Sequence, residues 1–406
     1  MVNVDYRYER EIHSQILKEP FYSKNKLRFS IINDVYAIPF ISKQNSGGLY
    51  DQFGILIDET STNKEYGIEK INLGQIDISQ QVSKPVIYLG VYESCWGHFI
   101  TDCLKKLWFL KTDDYKNFKD YDLVFLSQNT NKLGNNHLRL LELIGVDIKK
   151  IKIINAASKL DTVVVPDSSF YYDEKSIIHF TNEFRNLITD LKGKFINDEK
   201  SGYEKIYFSY SNYKKNYKKT FGEEKLDKFF SNQGFKVIHP ENYSVDEQLD
   251  MLVNCKIFAS TEGSTSHNSI FVNPQAKVLI IPRGPYFSGY QQTIDSMFDN
   301  EVYYIDSSLS ALTPKNGPWS GPNYFYVSEE LMRYFNLGDK EKGKYRKHNF
   351  RDMFYYFKYC MTHFHNRDYY IGNIYSEKFF HYFGENSKKL FPLFYFKSKV
   401  KSLIKK

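Results

Sequence analysis

Short runs of β-branched and apolar residues alternate along most of the chain with stretches whose apolar positions recur every three or four residues. Residues 84–92 (KPVIYLGVY), 121–126 (YDLVFL), 151–154 and 162–165 read as strands. Helical spacing marks 97–110, 137–144 and 174–193; in the last, Ile177, Ile178, Phe180, Phe184, Leu187, Ile188 and Leu191 share one side. A polar, glycine-containing stretch, 192–204 (KGKFINDEKSGYE), interrupts the pattern. The alternation then resumes with a strand at 205–209 (KIYFS), a helix at 223–230, a strand at 235–238 and a helix at 245–254. Ser244 and Glu247 have the spacing of a capping box for that last helix. Residues 256–259 and 277–281 read as buried parallel strands. The chain is therefore expected to be α/β, with parallel sheets. Its expected units are 1–195 and 204–320, followed by a helical, aromatic and basic extension at 325–406. No internal repeat is visible.

A length of 406 residues suits two domains. No apolar run approaches the length that spans a bilayer, and the start, MVNVDYRYEREIHSQ, lacks an apolar signal region. A cytoplasmic location is the expectation. Cys95, Cys103, Cys255 and Cys360 lack metal-ligand spacing and suit reduced thiols. The net charge of +7 is too mild to imply nucleic acid, but suits a phosphorylated small molecule or an anionic membrane surface. The 34 Tyr and 33 Phe could line a carbohydrate site, but they lie throughout the chain, as a compositional bias would place them.

Four stretches could carry chemistry. Between the strands at 256–259 and 277–281 lies STEGSTSHN, a strand emptying into small polar residues at a helix start. Free backbone N–H groups and the helix dipole would there face an anion. Read structurally, the same loop is a tight turn in which Gly263 allows close approach. In CWGHFITDCLKKL (95–107), Phe99, Ile100, Cys103, Leu104 and Leu107 should face the core, with His98 and Asp102 together on another face. His98 could act as a general base oriented by Asp102, or be a structural histidine beside an Asp102–Lys106 surface pair. SYSNYKKNYKKT (209–220) offers Ser209 and the lysines Lys214, Lys215, Lys218 and Lys219, either to neutralise a diphosphate or as a solvated loop. HPENYSVDEQ (239–248) places Glu241 at a strand end, within reach of a ribose or base, or in a plain turn before a capped helix. Neither a P-loop nor a G-x-S-x-G nucleophile elbow is present.

In this order, GHFITDCLKKLWFL, PENYSVDEQ and TEGSTSHNSIFVNPQAKVLIIP resemble glycosyltransferase family 61, over about residues 85–285. Where that family has His-Gly-Ala, this chain has Glu262-Gly263-Ser264; Asn268 matches the family's Asn. Where the family has Ser-Arg after the strand, this chain has Ser209-Tyr210. The resemblance implies a GT-B-like fold, two Rossmann-like domains facing a cleft. It also implies inverting, metal-independent transfer from a nucleotide sugar, UDP-linked by expectation, to a glycan hydroxyl in capsular or lipopolysaccharide-type synthesis. No further cofactor, metal or nucleic acid is implied. On this reading His98, Asp102 and Glu262 are the catalytic candidates. The donor candidates are Ser209, Lys214, Lys215, Glu241, Gly263, Ser264, Thr265, Ser266 and Asn268.

The end of the chain, 392–406, places Leu393, Phe396, Val400, Leu403 and Ile404 on one stripe among five lysines. It suits either peripheral contact with the inner face of the membrane, near a lipid-linked acceptor, or a final helix packed across both units. Two other functions remain open at this point: acyl transfer through the His98-x-x-x-Asp102 pattern, and a catalytically inactive relative that binds glycan.

Overall fold

The computed structural model describes residues 2–5, 21–42, 45–58, 60–61, 68–127, 130–196, 202–213, 220–283, 287–309, 313–314, 323–345, 355–356 and 369–370. Lys214, Lys215, Lys218, Lys219 and the 392–406 stripe lie outside the described residues.

Two large sheets organise the chain. The first has the order Asn45–Tyr50, Phe29–Ser42, Ser158–Pro166, Val86–Val91, Asp122–Leu126, Ile151–Ile154, with Gln80–Val82 also pairing Ser158–Pro166. Its first two pairings are antiparallel and the rest are parallel. The second sheet is parallel throughout, in the order Val2–Asp5, Glu301–Ile305, Lys277–Ile281, Ile257–Thr261, Lys205–Phe208, Lys236–Ile238. Its strands are apolar on both faces because both are covered. One face (Ile206, Phe208, Phe258, Val278, Ile280) joins a core shared with Ile87, Leu89, Phe125, Phe184 and Leu187 of the first half. The other face (Tyr207, Ala259, Leu279, Ile281) packs on Leu226, Phe229, Phe230, Leu331 and Met332.

Four departures from the sequence reading follow from packing. The first strand, Val2–Asp5, lies beside Glu301–Ile305 in the second sheet, not with the rest of 1–195, and so pairs what would be that sheet's open edge. The helix expected from 174 starts later, at Asn182–Gly193; Ile178–Phe180 instead forms a hairpin with Phe170–Tyr172, with Ser176 at φ +59° in the bend. Residues 97–110 are not one α-helix: an α-turn (Trp96–His98) runs into a π-helical turn (Phe99–Cys103), then a 3-10 helix (Leu107–Lys111). After 325, the described helices Glu329–Tyr334 and Asp339–Tyr345 are short, and the first packs onto the second sheet.

The two halves are joined by buried contacts. Lys192, on helix Asn182–Gly193, donates to the Val272 carbonyl at 3.0 Å and lies 3.3 Å from the Phe298 ring centroid. Among the described residues no helix is long and apolar enough to cross a membrane.

Candidate active site

Parallel strands place their functional loops at their carboxyl ends. Beyond Val86–Val91, the chain reaches Glu93 and then Trp96–His98 and the π-helical turn. A π-turn adds a residue to the helical repeat and re-aims the side chains around it. All of Phe99–Cys103 is buried. Phe99, Ile100 and Cys103 enter the core as the spacing predicts, but Asp102 is also only 4 % exposed, so it is not on a solvent face. Lys106 is fully buried and its ammonium donates to the Pro166 carbonyl, so neither it nor Asp102 lies on the surface.

His98 Nδ1 lies 2.9 Å from Asp102 Oδ2, and its side chain is half exposed. With Nδ1–H donating to the carboxylate, Nε2 is the ring nitrogen left to meet a substrate. The second carboxylate oxygen, Asp102 Oδ1, accepts from the Tyr290 hydroxyl at 3.1 Å. The hydrogen bond to Asp102, against an opposing effect of burial, pushes His98 up to about 9, which favours the imidazolium form of His98. Burial pushes Glu93 up as well; the nearby His98 opposes this and Asp102 adds to it.

The second loop leaves the end of Ile257–Thr261. Gly263 has φ +128°, the left-handed region that glycine tolerates. A Cβ there would stand 3.3 Å from the Arg283 guanidinium, so close approach and backbone conformation both require glycine. Several N–H groups expected to face an anion are satisfied inside the fold. Glu262 N donates to the Ile281 carbonyl, Gly263 N to Ser266 Oγ, and Ser266 N to the Gly263 carbonyl. Gly263, Ser264 and Thr265 form the partly exposed crest; Glu262 and Ser266–Asn268 are buried beneath it.

Glu262 therefore points inward. Its carboxylate accepts from the backbone N–H groups of Ser288 (3.0 Å) and Arg283 (3.3 Å), and burial raises it to about 7. It lies fully buried beneath the crest, where it holds the backbone at Arg283 and Ser288. Ser266 is likewise engaged, its hydroxyl donating to Gln291 Oε1 at 2.6 Å. Asn268 accepts from Trp96 Nε1 at 2.9 Å and donates to the Thr265 carbonyl at 3.0 Å, so it holds the crest from below. Ser209 is buried and bonded to Ser211. Glu241 is exposed in a 3-10 turn after the edge strand Lys236–Ile238. Two strand spacings, about 10 Å, separate that strand from Ile257–Thr261.

The tertiary structure interlocks the two motifs. Cys95 Sγ lies 3.2 Å from Ser264 Oγ, and Trp96 reaches Asn268. Gly97 is seated so closely on the loop that a Cβ would stand 2.7 Å from His267 Nδ1 and 3.1 Å from Ser264 Cα. The rings of His98 and His267 both lie against Tyr290, at 5.6 and 6.2 Å. Thus His98, Asp102 and the Gly263–Thr265 crest are brought together.

Sequence reading missed Tyr290, His267 and Arg283. His267 stood inside a motif, and its register with Gly97 was not visible. Arg283 has its guanidinium 5.7 Å from the Tyr210 ring centroid, but it follows a strand with no local signature. Tyr290 has no sequence signal beyond being one of many aromatics. Among the described residues no three His, Cys, Asp or Glu side chains converge as a metal site.

No curated protein matches the chain. Residues 96–279, which contain the His98–Asp102 pair and the 262–268 loop, match the family model described as Glycosyltransferase 61. Acyl transfer through the His98-x-x-x-Asp102 pattern is thereby set aside: this chain is a glycosyltransferase, with its family 61 domain at residues 96–279.

Proposed function

We propose that the chain is an inverting, metal-independent enzyme that moves a sugar from a UDP-linked donor to a glycan hydroxyl. The observation that carries this reading is the interlock of the Gly97–Asp102 turn with the Gly263–Thr265 crest, each at the carboxyl end of a parallel strand. The two sheets then act as the halves of a GT-B-like cleft, with the acceptor on the His98 side and the donor on the Gly263 side. The acceptor oxygen attacks the anomeric carbon while His98 Nε2, once neutral, takes its proton. The carbon–oxygen bond to the diphosphate breaks on the opposite face, and the crest receives the leaving charge. Asp102 holds the imidazole by Nδ1 and balances the imidazolium that forms. The nucleoside extends toward Glu241. A lipid-linked glycan of a capsular or lipopolysaccharide-type polymer, in a bacterial cytoplasm at the inner face of the membrane, is the acceptor this reading favours.

A thermal-shift panel of nucleoside diphosphates and their sugars tests donor choice, with stabilisation by UDP and one UDP-sugar as the expected result. With that donor, His98→Ala and Asp102→Asn should each lower turnover by about 10²–10⁴. Turnover should persist in EDTA. Unchanged turnover in both variants would remove the catalytic assignment. Glycan binding without turnover of any donor would favour the inactive, glycan-binding reading.

A further inference from the structure

Tyr290 is the third member of the His98–Asp102 site, and it comes from outside the segment that matches the family. Its hydroxyl donates to Asp102 Oδ1 at 3.1 Å, while His98 Nδ1 holds Oδ2 at 2.9 Å, so the two partners grip opposite oxygens of one buried carboxylate. Several rings pack against the Tyr290 ring. Phe170 stacks on it at 6.1 Å, and Tyr172 and His98 stand edge-on at 5.7 and 5.6 Å. Its helix, Gly289–Asp295, is tied to the donor-side loop at its N-cap and within its first turn. Ser288 N donates to Glu262, and Gln291 accepts from Ser266 at 2.6 Å. Thr293 Oγ1 anchors the same helix to the Ile178 carbonyl of the first half, at 3.1 Å.

We propose that Tyr290 is a positioning residue for this reaction: it orients Asp102 toward His98, shares the carboxylate's charge, and connects the pair to the loop under the donor crest. The inference rests on the reading of His98–Asp102 as the catalytic pair. By taking part of the Asp102 charge, the Tyr290 hydroxyl weakens the hold of that carboxylate on the imidazolium proton. It thereby brings the neutral, base-competent form of His98 within reach at a lower pH than Asp102 alone would allow. The other titratable groups facing the pair are Glu93, Cys95, Cys103, Lys105, Tyr172 and His267. Of these, Tyr172 is also hydrogen-bonded to Tyr290.

The test needs no substrate. The His98 ring is titrated by NMR in ¹⁵N-histidine-labelled full-length protein, with His98→Gln to assign its signal. Tyr290→Phe keeps the ring contacts and removes only the hydroxyl. Its His98 midpoint should rise by about 0.5 pH unit or more, because the carboxylate then binds the imidazolium harder. A midpoint that stays or falls, in a Tyr290→Phe protein that melts like the parent, overturns the proposal. Asp102→Asn separates the two levels. If it lowers the midpoint while Tyr290→Phe leaves it unmoved, the pair stands and the role of Tyr290 fails. If Asp102→Asn also leaves it unmoved, the pair itself is wrong, and the inference falls with it.

Discussion

Gly97 shows how much a single missing side chain decides here. The four-residue spacing of His98 and Asp102 predicts that they meet, and they do. What spacing could not supply is why glycine precedes them: the backbone of Gly97 rests on Ser264 and His267 of a distant loop. A new methyl group would meet both the buried His267 ring and Ser264 Cα, and the latter is backbone. Gly97→Ala should therefore force the two motifs apart, at a cost of about 1–3 kcal/mol in urea titration. Donor turnover should fall further than stability does, because His98 moves off the crest. Full turnover in Gly97→Ala would mean that the close seat has no bearing on the reaction. Glu262 is the opposite case. Its place in the motif suggested chemistry, and burial turned it into a support for the chain at Arg283 and Ser288.

Elements whose stability is local were legible, and elements shaped by packing were not. Helix Val245–Asn254 begins where its capping box predicts, with Ser244 Oγ accepting from Glu247 N and Glu247 Oε2 accepting from Ser244 N. Ser244→Ala should cost about 1 kcal/mol of stability in denaturant titration, with turnover unchanged. A loss of turnover would show that this cap also serves the donor side. The strands Ile151–Ile154 and Lys277–Ile281 likewise keep their expected limits, since their apolar runs end in polar or turn residues. The stretch 97–110 behaves differently. Its apolar spacing is compatible with a plain α-helix, and the π-turn at Phe99–Cys103 is set by the need to bury the whole turn against the sheet. Ile178–Phe180 carries helix-like apolar spacing, yet it pairs as a strand because Phe170–Tyr172 lies beside it.

At the scale of the whole molecule, burial of acids between the elements makes stability depend on pH. Glu223, Glu262 and Asp295 are each raised by burial to about 7. Folding thus binds protons to them, and their contribution is complete below the ordinary carboxylate range and lost as pH rises through about 7. His137, pushed down to about 4 by burial, works the other way: its contribution is present above its ordinary 6.5 and lost as pH falls toward 4. A single variant isolates one acid. Relative to the parent, Glu262→Gln should gain melting temperature as pH rises from about 5 to about 8, since a neutral amide has no charge to bury. A difference that stays constant across that range would show that Glu262 does not titrate there. By itself the sequence determined the α/β alternation, the capped helix, the pairing of His98 with Asp102 and the two motifs that meet at the site, because each depends on residues close along the chain. Only the tertiary structure decided that Val2–Asp5 joins the second sheet, that Gly97 rests on Ser264, that Glu262 faces inward and that Tyr290 holds Asp102. Those are contacts between distant segments, chosen by what the packed core brings side by side, and no local pattern of residues encodes them.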